Sequence, residues 1–316
     1  MTTPGPAEYA TAPVTTHPLA QRPVTLLGVP TSAGAHGPGQ EQAPAVLRAL
    51  GLTQLLARSG VNLRDGGDVA GLRFAAAPRI CGARSLDRVV RVAGAVADAV
   101  DHVVVGEGRL PLLIGGDCTI TVGAVAGLAR SLDLGLMYFD GDADLSTPET
   151  SGSGILDAMG MAHLLGLGAP ALASLGRRRP LLRAEQVTLF GFDPAELDSV
   201  GWQRLAERRL RAFPAPMVRR DPAGAAAAAL AGLEPQVESF LLHFDVDALD
   251  SGELPLADFP HFPGLSLDQA MQALTVLASS PKLAGVVVTE INPDHDPDRR
   301  HLRQFTDRLA EALTGS

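Results

Sequence analysis

The chain of 316 residues has a net charge of -9, and 46% of its residues are hydrophobic, which predicts a globular protein with a large core and excludes disorder over most of its length. Its 26 basic side chains include a single lysine, Lys282, which follows Ser-Pro and is therefore unsuited to a GxxxxGK(S/T) phosphate-binding loop or to Schiff-base chemistry. The acidic balance disfavours nucleic acid and anionic membranes as partners and favours a metal ion or a small cationic substrate.

Residues 1–22 contain several prolines and no periodic pattern, which predicts a flexible leader followed by a single α/β domain over residues 23–316. No apolar run reaches the roughly 20 residues that span a bilayer, and the N-terminus lacks the pattern of a signal peptide. Two cysteines, Cys81 and Cys118, are too few for a disulfide framework. We therefore expect a cytoplasmic protein.

Short β-branched or leucine-rich runs alternate with longer helical stretches from residue 24 onward. The runs predict strands at 24–29, 110–114, 134–139, 186–190, 239–244 and 283–289. The stretches between and after them predict helices at 43–57, 87–107, 119–130, 158–167, 195–210, 223–233, 267–277 and 301–313. Ser266 and Gln269 form a capping box at the start of one helix. This alternation predicts a parallel sheet with helices on both faces.

Acidic residues follow two of the predicted strands, where α/β sheets bind their ligands. They alternate along the chain, so each set points to one side, and two such strand ends could direct five carboxylates at one centre: Asp140, Asp142, Asp144, Asp245 and Asp247. Such a concentration of negative charge requires cations, and Mn²⁺ or Mg²⁺ suit carboxylate oxygens. The alternative is a solvated turn at the first motif and a helix cap at the second.

Five separated motifs resemble those of the arginase/agmatinase (ureohydrolase) family, in the same order and spacing. They are GGDCT at 115–119, DGDAD at 140–144, SG at 153–154, FDVDALD at 244–250 and EINP at 290–293. The resemblance covers about residues 24–313. It implies a three-layer α/β/α fold with a central, mostly parallel sheet, assembly into trimers or hexamers, and two Mn²⁺ ions that activate a water against the carbon of a guanidinium or amidine group.

The resemblance also implies a role for each matching acidic residue. Asp140 and Asp245 would bridge the two ions. Asp144 would complete the ligands of one ion and hold the attacking water, and Asp247 would bind the other ion. Glu290 would be both catalytic and substrate-binding, because a carboxylate can accept paired N–H bonds from a planar guanidinium group.

Three positions at which the family carries histidine are occupied by other residues. Cys118 and Asp142 stand at two metal positions, so one candidate ligand is a softer thiolate and the other a harder carboxylate. As an alternative, Cys118 is a buried small apolar residue at a strand end. Asp157 stands at the third position, which assists proton transfer; as a catalytic acid it would need a pKa raised by more than two units above its usual value of about 3.9.

The remaining candidates are residues that would hold the rest of the substrate. Ser146 replaces an asparagine that grips an α-carboxylate in arginases, so arginine is not a safe substrate assignment. Ser153 lies in the Ser-Gly motif, and Asp193 is similar to a residue that contacts the amino end of the substrate. All three are therefore predicted substrate-binding residues.

The eight histidines do not fall on the family's site positions, so we expect catalysis to depend on carboxylates, one thiol and bound cations. His243 precedes the second acidic pair and is expected to point away from it, into the core. His163 lies on a predicted helix, where it would be packed or exposed.

These observations predict a metal-dependent, hydrolase-type enzyme that cleaves a C–N bond in a specialised guanidino or amidine substrate. Loss of the histidines leaves two alternatives open. One is an arginase-fold protein that has lost hydrolysis and acts as a binding or regulatory partner. The other is a different reaction on the same scaffold, in secondary metabolism.

Overall fold

A computed structural model describes residues 17–80 and 82–315, and its centre is one eight-stranded sheet. The strands are β1 (Val24–Gly28), β2 (Leu63–Asp68), β3 (Leu110–Ile114), β4 (Leu134–Phe139), β5 (Val187–Phe190), β6 (Arg211–Phe213), β7 (Ser239–Asp245) and β8 (Leu283–Thr289). Their order across the sheet is β2-β1-β3-β8-β7-β4-β5-β6, and every pairing is parallel.

Helices cover both faces of the sheet. They are α1 (Pro18–Gln21), α2 (Ala43–Ala49), α3 (Leu52–Arg58), α4 (Leu86–Asp101), α5 (Ile120–Leu128), α6 (Gly160–Leu164), α7 (Pro170–Ala173), α8 (Ser199–Arg208), α9 (Ala215–Arg220), α10 (Pro222–Leu233), α11 (Leu267–Ala278) and α12 (Arg300–Thr314). One apolar layer joins the sheet to α2, α3 and α9–α12, and another joins it to α4, α5 and α6. The predicted three-layer α/β/α fold is confirmed.

Side chains alternate between these two layers along each strand. In β7, Leu242 and Phe244 enter the layer beneath α10–α12, whereas Leu241 enters the layer beneath α4 and α5. Both layers are apolar because a parallel sheet in this fold is covered on both faces. The same alternation decides which polar side chains at the strand ends can meet.

The two strands at the edges of the sheet were missed by the sequence analysis. β2 has the sequence LRDGGD, and its glycines and charges resemble a turn more than a strand. β6 has three residues, too few to show a period. Edge strands face solvent and tolerate polar residues, so neither has the apolar run on which strand prediction depends.

Several predicted helices are shorter than expected or divided. The helix predicted at 43–57 is split at Gly51, which has a left-handed φ of 96°. The helix predicted at 87–107 ends as α-helix at Asp101 and continues as a π-turn over His102–Gly106. The capping box at α11 is present: the Ser266 side chain accepts from the Gln269 amide, and the Gln269 side chain accepts from the Ser266 amide.

The predicted leader overlaps the packed part of the chain. Residues 1–16 and Cys81 lie outside the described residues. Residues 17–22, however, include helix α1, and Leu19 is buried in the apolar core. That end of the leader prediction is therefore wrong, because Leu19 packs into the same layer as α12. Within the described chain, no helix has the length and apolar character needed to cross a membrane.

Candidate active site

The carboxyl ends of four neighbouring strands lie together at one edge of the sheet. Cys118 follows β3, Asp140 and Asp142 follow β4, Asp245 ends β7, and Glu290 follows β8. These strands are adjacent in the order β3-β8-β7-β4. Parallel pairing brings all their carboxyl ends to one side, so residues distant in sequence share one site.

A cavity of about 280 Å³ lies at these strand ends, and we call it the acidic pocket. Seven carboxyl side chains line it: Asp140, Asp142, Asp144, Asp157, Asp245, Asp247 and Glu290. The other lining residues are His36, Cys118, Ser153, Ala158 and Phe259. No lysine or arginine of the described chain lines this pocket, so its wall holds no permanently cationic side chain to neutralise the carboxyl groups.

One group of potential ligand atoms lies at the bottom of the acidic pocket. It consists of Cys118, Asp140, His243 and Asp245, whose ligand atoms all lie within 4.8 Å of one another. The thiol of Cys118 contacts Oδ2 of Asp245, which also accepts a hydrogen bond of 3.2 Å from Thr289. Burial, reinforced by Asp245 and other carboxylates, raises the pKa of Cys118 well above its usual value. Cys118 is therefore a neutral thiol unless a cation is bound.

His243 points toward this group, so the prediction that it faces away is wrong. Its Nε2 lies 3.3 Å from Oδ2 of Asp140 and 3.8 Å from Sγ of Cys118, and its ring stacks on Tyr138 at 4.2 Å. The physical reason is the period of two along β7, which places His243 and Asp245 on the same side. Burial lowers the pKa of His243 to about 3, which keeps the imidazole neutral.

A second group lies beside the first and contains Asp142, Asp247 and His261. The Nε2 atom of His261 is 3.6 Å from Oδ2 of Asp142 and 3.7 Å from Oδ2 of Asp247. Burial opposes protonation of His261, but these two carboxylates outweigh burial and raise its pKa to about 11. The expectation that histidines avoid the site is thus wrong at a second position.

Asp157 and Glu290 form the third side of the pocket. The amide of Cys118 donates to Oδ1 of Asp157 at 2.7 Å, and Gln40 donates to Oε2 of Glu290 at 2.5 Å. Burial and the nearby carboxylate of Asp117 raise the pKa of Asp157 to about 8, and a hydrogen bond to Glu290 partly opposes the rise. A hydrogen bond between two carboxyl groups requires that they share a proton.

Asp144 lies in the wall of the pocket but is held apart from the three groups. Its Oδ2 accepts a hydrogen bond of 2.6 Å from the Tyr138 hydroxyl, and it belongs to none of the clusters of ligand atoms found in residues 17–80 and 82–315. Its φ of 49° and the φ of 65° at Glu290 are both left-handed. Non-glycine residues rarely adopt this conformation, and such strain concentrates at functional sites.

The predicted substrate-binding residues lie in different places. Ser153 lines the acidic pocket. Ser146 lines an adjoining cavity of about 150 Å³, which we call the side cavity and which also includes Glu196 and Arg204. The two cavities share Asp142, Asp144 and Ala158. Asp193 lines neither cavity, but its carboxylate lies within 4.8 Å of ligand atoms of Glu196 and His261.

The charge of the pocket indicates which ligand it suits. Burial raises the pKa of Asp140 and of Asp245 well above their usual values, and neighbouring carboxylates, Asp247 first among them, raise both further. Such groups favour protonation or the binding of a cation. The donors are carboxylate oxygens with a thiol and two imidazoles, which together fit divalent metal ions. The set of residues predicted as metal ligands therefore suits a metal, apart from the position of Asp144.

Three site features escaped the sequence analysis. His243 had a usable signal, because it stands two residues before Asp245. His261 had none, because it lies in the irregular segment between β7 and α11. His36, the histidine that lines the pocket, lies in a loop after β1. His163 was predicted to be either packed or exposed, and it is packed. The residue is 1% exposed, and its Nδ1 lies 2.5 Å from the Met159 carbonyl oxygen.

Comparisons with known proteins agree with this fold. The profile of the arginase family matches residues 22–316. The arginase of Bacillus caldovelox is 30% identical over 302 residues, which cover 93% of this chain and 97% of that protein. Its crystal structure has a TM-score of 0.82 and 28% identity over 93% of this chain and 99% of that chain.

A more distant structure shares only the fold. The formiminoglutamase of Trypanosoma cruzi, solved with Mn²⁺, has a TM-score of 0.69 and 17% identity over 94% of each chain. The family profile and the Bacillus relative each extend over nearly all of the described residues. On this basis, the chain belongs to the arginase family.

Proposed function

We propose that the protein is a manganese-dependent hydrolase that cleaves a C–N bond in a guanidino or amidine substrate other than arginine. The observation that supports this proposal most directly is the convergence of seven carboxyl groups, six of them from three strand ends, on one pocket without a lysine or arginine of the described chain in its wall. Such a pocket attracts metal cations and then a cationic substrate. Family membership supports the same general chemistry.

The residues that would hold the metal ions are those of the first two groups: Cys118, Asp140, Asp142, Asp245, Asp247 and the two histidines. A bound divalent ion lowers the pKa of water and stabilises negative charge that develops on the substrate. The protein's own contribution is to fix the carboxylates. The amide of Asp142 donates to Asp140 at 2.6 Å, and the amide of Asp247 donates to Asp245 at 2.8 Å.

Glu290 is suited to orient the cationic end of the substrate. Its Oε2 is held by Gln40, whereas its Oε1 is buried and accepts no hydrogen bond from the N–H and hydroxyl donors of the described residues. A guanidinium group presents paired N–H donors in one plane, which a carboxylate can accept. Glu290 would thereby place the carbon of that group in the acidic pocket.

Asp157 is suited to carry a proton for the reaction. With a pKa of about 8, its carboxyl group is largely protonated at neutral pH and can donate that proton to the departing amine. This role requires a pKa more than two units above that of an ordinary aspartate, and burial together with Asp117 raises the pKa of Asp157 that far. Asp157 would thus replace the histidine of the family.

The side cavity is suited to hold the remainder of the substrate. Its wall contains Ser146 together with the acidic residues Glu196 and Asp198 and the basic residue Arg204. The Arg204 guanidinium is already bonded to the Leu145 carbonyl oxygen. A substrate tail that ends in an amine or hydroxyl group suits this wall better than a tail that ends in a carboxylate.

We further propose that the protein is cytoplasmic and forms homo-oligomers, as trimers or hexamers, without nucleic-acid or membrane partners. The acidic net charge supports the exclusion of nucleic acid and anionic membranes. The low cysteine content supports a reducing compartment. Size measurement of the purified protein in solution tests the assembly.

The central experiment is a hydrolysis assay of the full-length protein with and without MnCl₂. The substrates are guanidino compounds that differ at the far end: an amine, a hydroxyl, a carboxylate or an amino acid. We expect Mn²⁺-dependent release of urea or ammonia from a compound with an amine or hydroxyl tail, and none from the Asp140→Asn variant. A protein that binds Mn²⁺ but releases neither product from any compound would contradict the proposal.

A further inference from the structure

Two imidazoles adjoin carboxylates that line the acidic pocket, although neither stands at a position that the family motifs mark. Those marked positions carry Cys118 and Asp142. His243 and His261 instead come from β7 and from the segment before α11. Each lies within 4.8 Å of the ligand atoms in one of two separate groups of potential ligands.

The surroundings of His243 match those of a metal-binding imidazole. Its Nε2 faces Cys118, Asp140 and Asp245 at 3.8, 3.3 and 3.9 Å. Two ligand atoms that are each about 2.1 Å from one ion can be at most about 4.2 Å apart, so these distances allow a shared ion. Its Nδ1 lies 2.8 Å from the Thr121 hydroxyl. Metal-bound histidines commonly hold their second ring nitrogen in this way.

His261 provides an independent observation, because it is buried without a hydrogen bond. Its side chain is 2% exposed, and neither ring nitrogen has a hydrogen-bond partner among the described residues. Its Nε2 lies 3.6 and 3.7 Å from the carboxylates of Asp142 and Asp247, too far for a hydrogen bond but within the span of one shared ion. Without a hydrogen bond, this buried ring is held only by the charge of the two carboxylates, and a divalent ion between the three groups would displace its proton and bind Nε2.

The chain leaves room for this ring at Gly141. A Cβ atom at that position would lie 2.7 Å from Cδ2 of His261 and 2.8 Å from the Asp247 carbonyl oxygen. The position between the first two acidic residues of the DGDAD motif therefore requires glycine as long as His261 stays in the pocket. The close approach connects the motif to a histidine 120 residues away in the sequence.

We propose that His243 and His261 are metal ligands that replace, from new positions, the two imidazoles missing at residues 118 and 142. One ion would be bound by Cys118, Asp140, His243 and Asp245, and the other by Asp142, Asp247 and His261. This inference rests on the proposed metal-dependent function and deepens it. The first site, with sulfur and nitrogen donors, is softer than the second, so Zn²⁺ and Co²⁺ should compete with Mn²⁺ better at the first than at the second.

The direct test needs no substitution in the pocket. The full-length protein is labelled with ¹⁵N-histidine, stripped with chelator, reloaded with MnCl₂ and studied by pulsed electron paramagnetic resonance. We expect nitrogen coupling to Mn²⁺ that changes with the label. Among the described residues, His243 and His261 are the only histidines in the clusters of potential ligand atoms, whereas His36 lines the pocket without joining a cluster. Bound Mn²⁺ without histidine coupling would overturn this inference and leave the proposed function intact. Absence of bound Mn²⁺ would overturn both.

Substitutions then assign each histidine to its ion. We expect His243→Gln and His261→Gln each to lower the Mn²⁺ affinity of one site by at least about 10–100-fold. Loss of a residue that only hydrogen-bonds to a metal ligand already has an effect of this size. His102→Gln is the matched control, because His102 is 73% exposed and pairs with Glu107 outside the pocket. Circular dichroism of the chelated proteins checks that each variant is folded. Unchanged Mn²⁺ affinity in a folded variant would exclude that histidine as a ligand.

Discussion

Two acidic regions of this protein are neutralised in opposite ways. At the edge of the sheet, Arg48 bonds to Asp65 at 2.8 Å and to Asp68 at 2.5 Å, and we call these three residues the Arg48 cluster. Burial alone would raise the pKa of Asp65, but the hydrogen bonds from Arg48 and the Gly67 amide, together with the Arg48 charge, outweigh burial and the pKa falls. In the acidic pocket the pKa of Asp140 rises well above its usual value, because burial and other carboxylates act without a cationic partner and the nearby His243 is neutral.

The difference shows that the chain uses arginine to neutralise carboxylates at the edge of the sheet but not in the acidic pocket. Of its 26 basic side chains, 25 are arginines, yet none among the described residues lines the acidic pocket. An arginine there would occupy the space of a cationic ligand. The pocket therefore destabilises the metal-free protein, and bound cations are expected to stabilise it. Functional sites often have such a cost in stability.

The largest effect that separates the two regions should come from Asp140→Asn. Hydrolysis should fall by about 10³-fold or more, because several kcal/mol of metal-derived stabilisation is lost. The free energy of unfolding of the metal-free protein should nevertheless rise, by at least about 1 kcal/mol, because folding no longer has to protonate a buried carboxyl group or bury its charge. Urea denaturation of chelated samples measures this. A metal-free variant less stable than the parent would show that the neighbours of Asp140 stabilise its carboxyl group even without a metal.

The next largest effect should come from Asp157→Asn. It removes the proposed proton donor, so kcat should fall by about 10²–10⁴-fold while the Mn²⁺ content stays that of the parent. Steady-state kinetics with metal analysis on the same samples provides the measurement. An Asp157→Asn variant with the kcat of the parent would assign the proton transfer to another group.

The pH dependence of stability sharpens the comparison further. The pKa of Asp157 is raised from 3.8 to about 8 and that of His261 from 6.5 to about 11, so the stability they contribute is lost as pH rises through those ranges. The pKa values of His243 and His163 are lowered to about 3 and about 4, so their contributions are lost only as pH falls below 6.5. Between pH 6.5 and 8 the metal-free protein should therefore lose stability, by up to about 1.4 kcal/mol per pH unit for each group.

Metal binding should counteract this loss. Free Mn²⁺ at about 100 times its Kd adds about 2.7 kcal/mol for a single site. Thermal unfolding at pH 6.5 and pH 8, with chelator and with MnCl₂, measures both effects. A chelated protein with the same Tm at the two pH values would contradict the charge repulsion inferred for the pocket.

The smallest effect should come from Arg48→Ala in the Arg48 cluster. The Arg48 side chain is 20% exposed and those of its partners are 39% and 45% exposed, so we expect a loss of about 1 kcal/mol or less. Mn²⁺ content and hydrolysis should stay unchanged. Denaturant unfolding in low and high salt provides the test, because an ion pair near the surface weakens as salt increases. A change in metal content would mean that the two regions are coupled.

Much of the fold followed from local patterns. The six strands at the centre of the sheet have continuous apolar runs because both faces are covered, and their order along the chain was predicted correctly. The capping box at Ser266 placed the start of α11. The edge strands β2 and β6 were missed because solvent on one side removes the apolar signal. Helices divided at Gly51 or ending in a π-turn depend on their packing, which periodicity does not report.

The sequence by itself determined that acidic residues would gather at the carboxyl ends of the strands. Parallel strands end at a common edge, so Asp140, Asp245 and Glu290 had to be neighbours once the strands were identified. Only the tertiary structure decided which other groups join them. His261 reaches the pocket through an irregular segment with no periodic pattern, and the pKa of Asp157 depends on burial and on Asp117, 40 residues away. Both are consequences of three-dimensional packing, because burial and charge proximity arise only when distant segments meet.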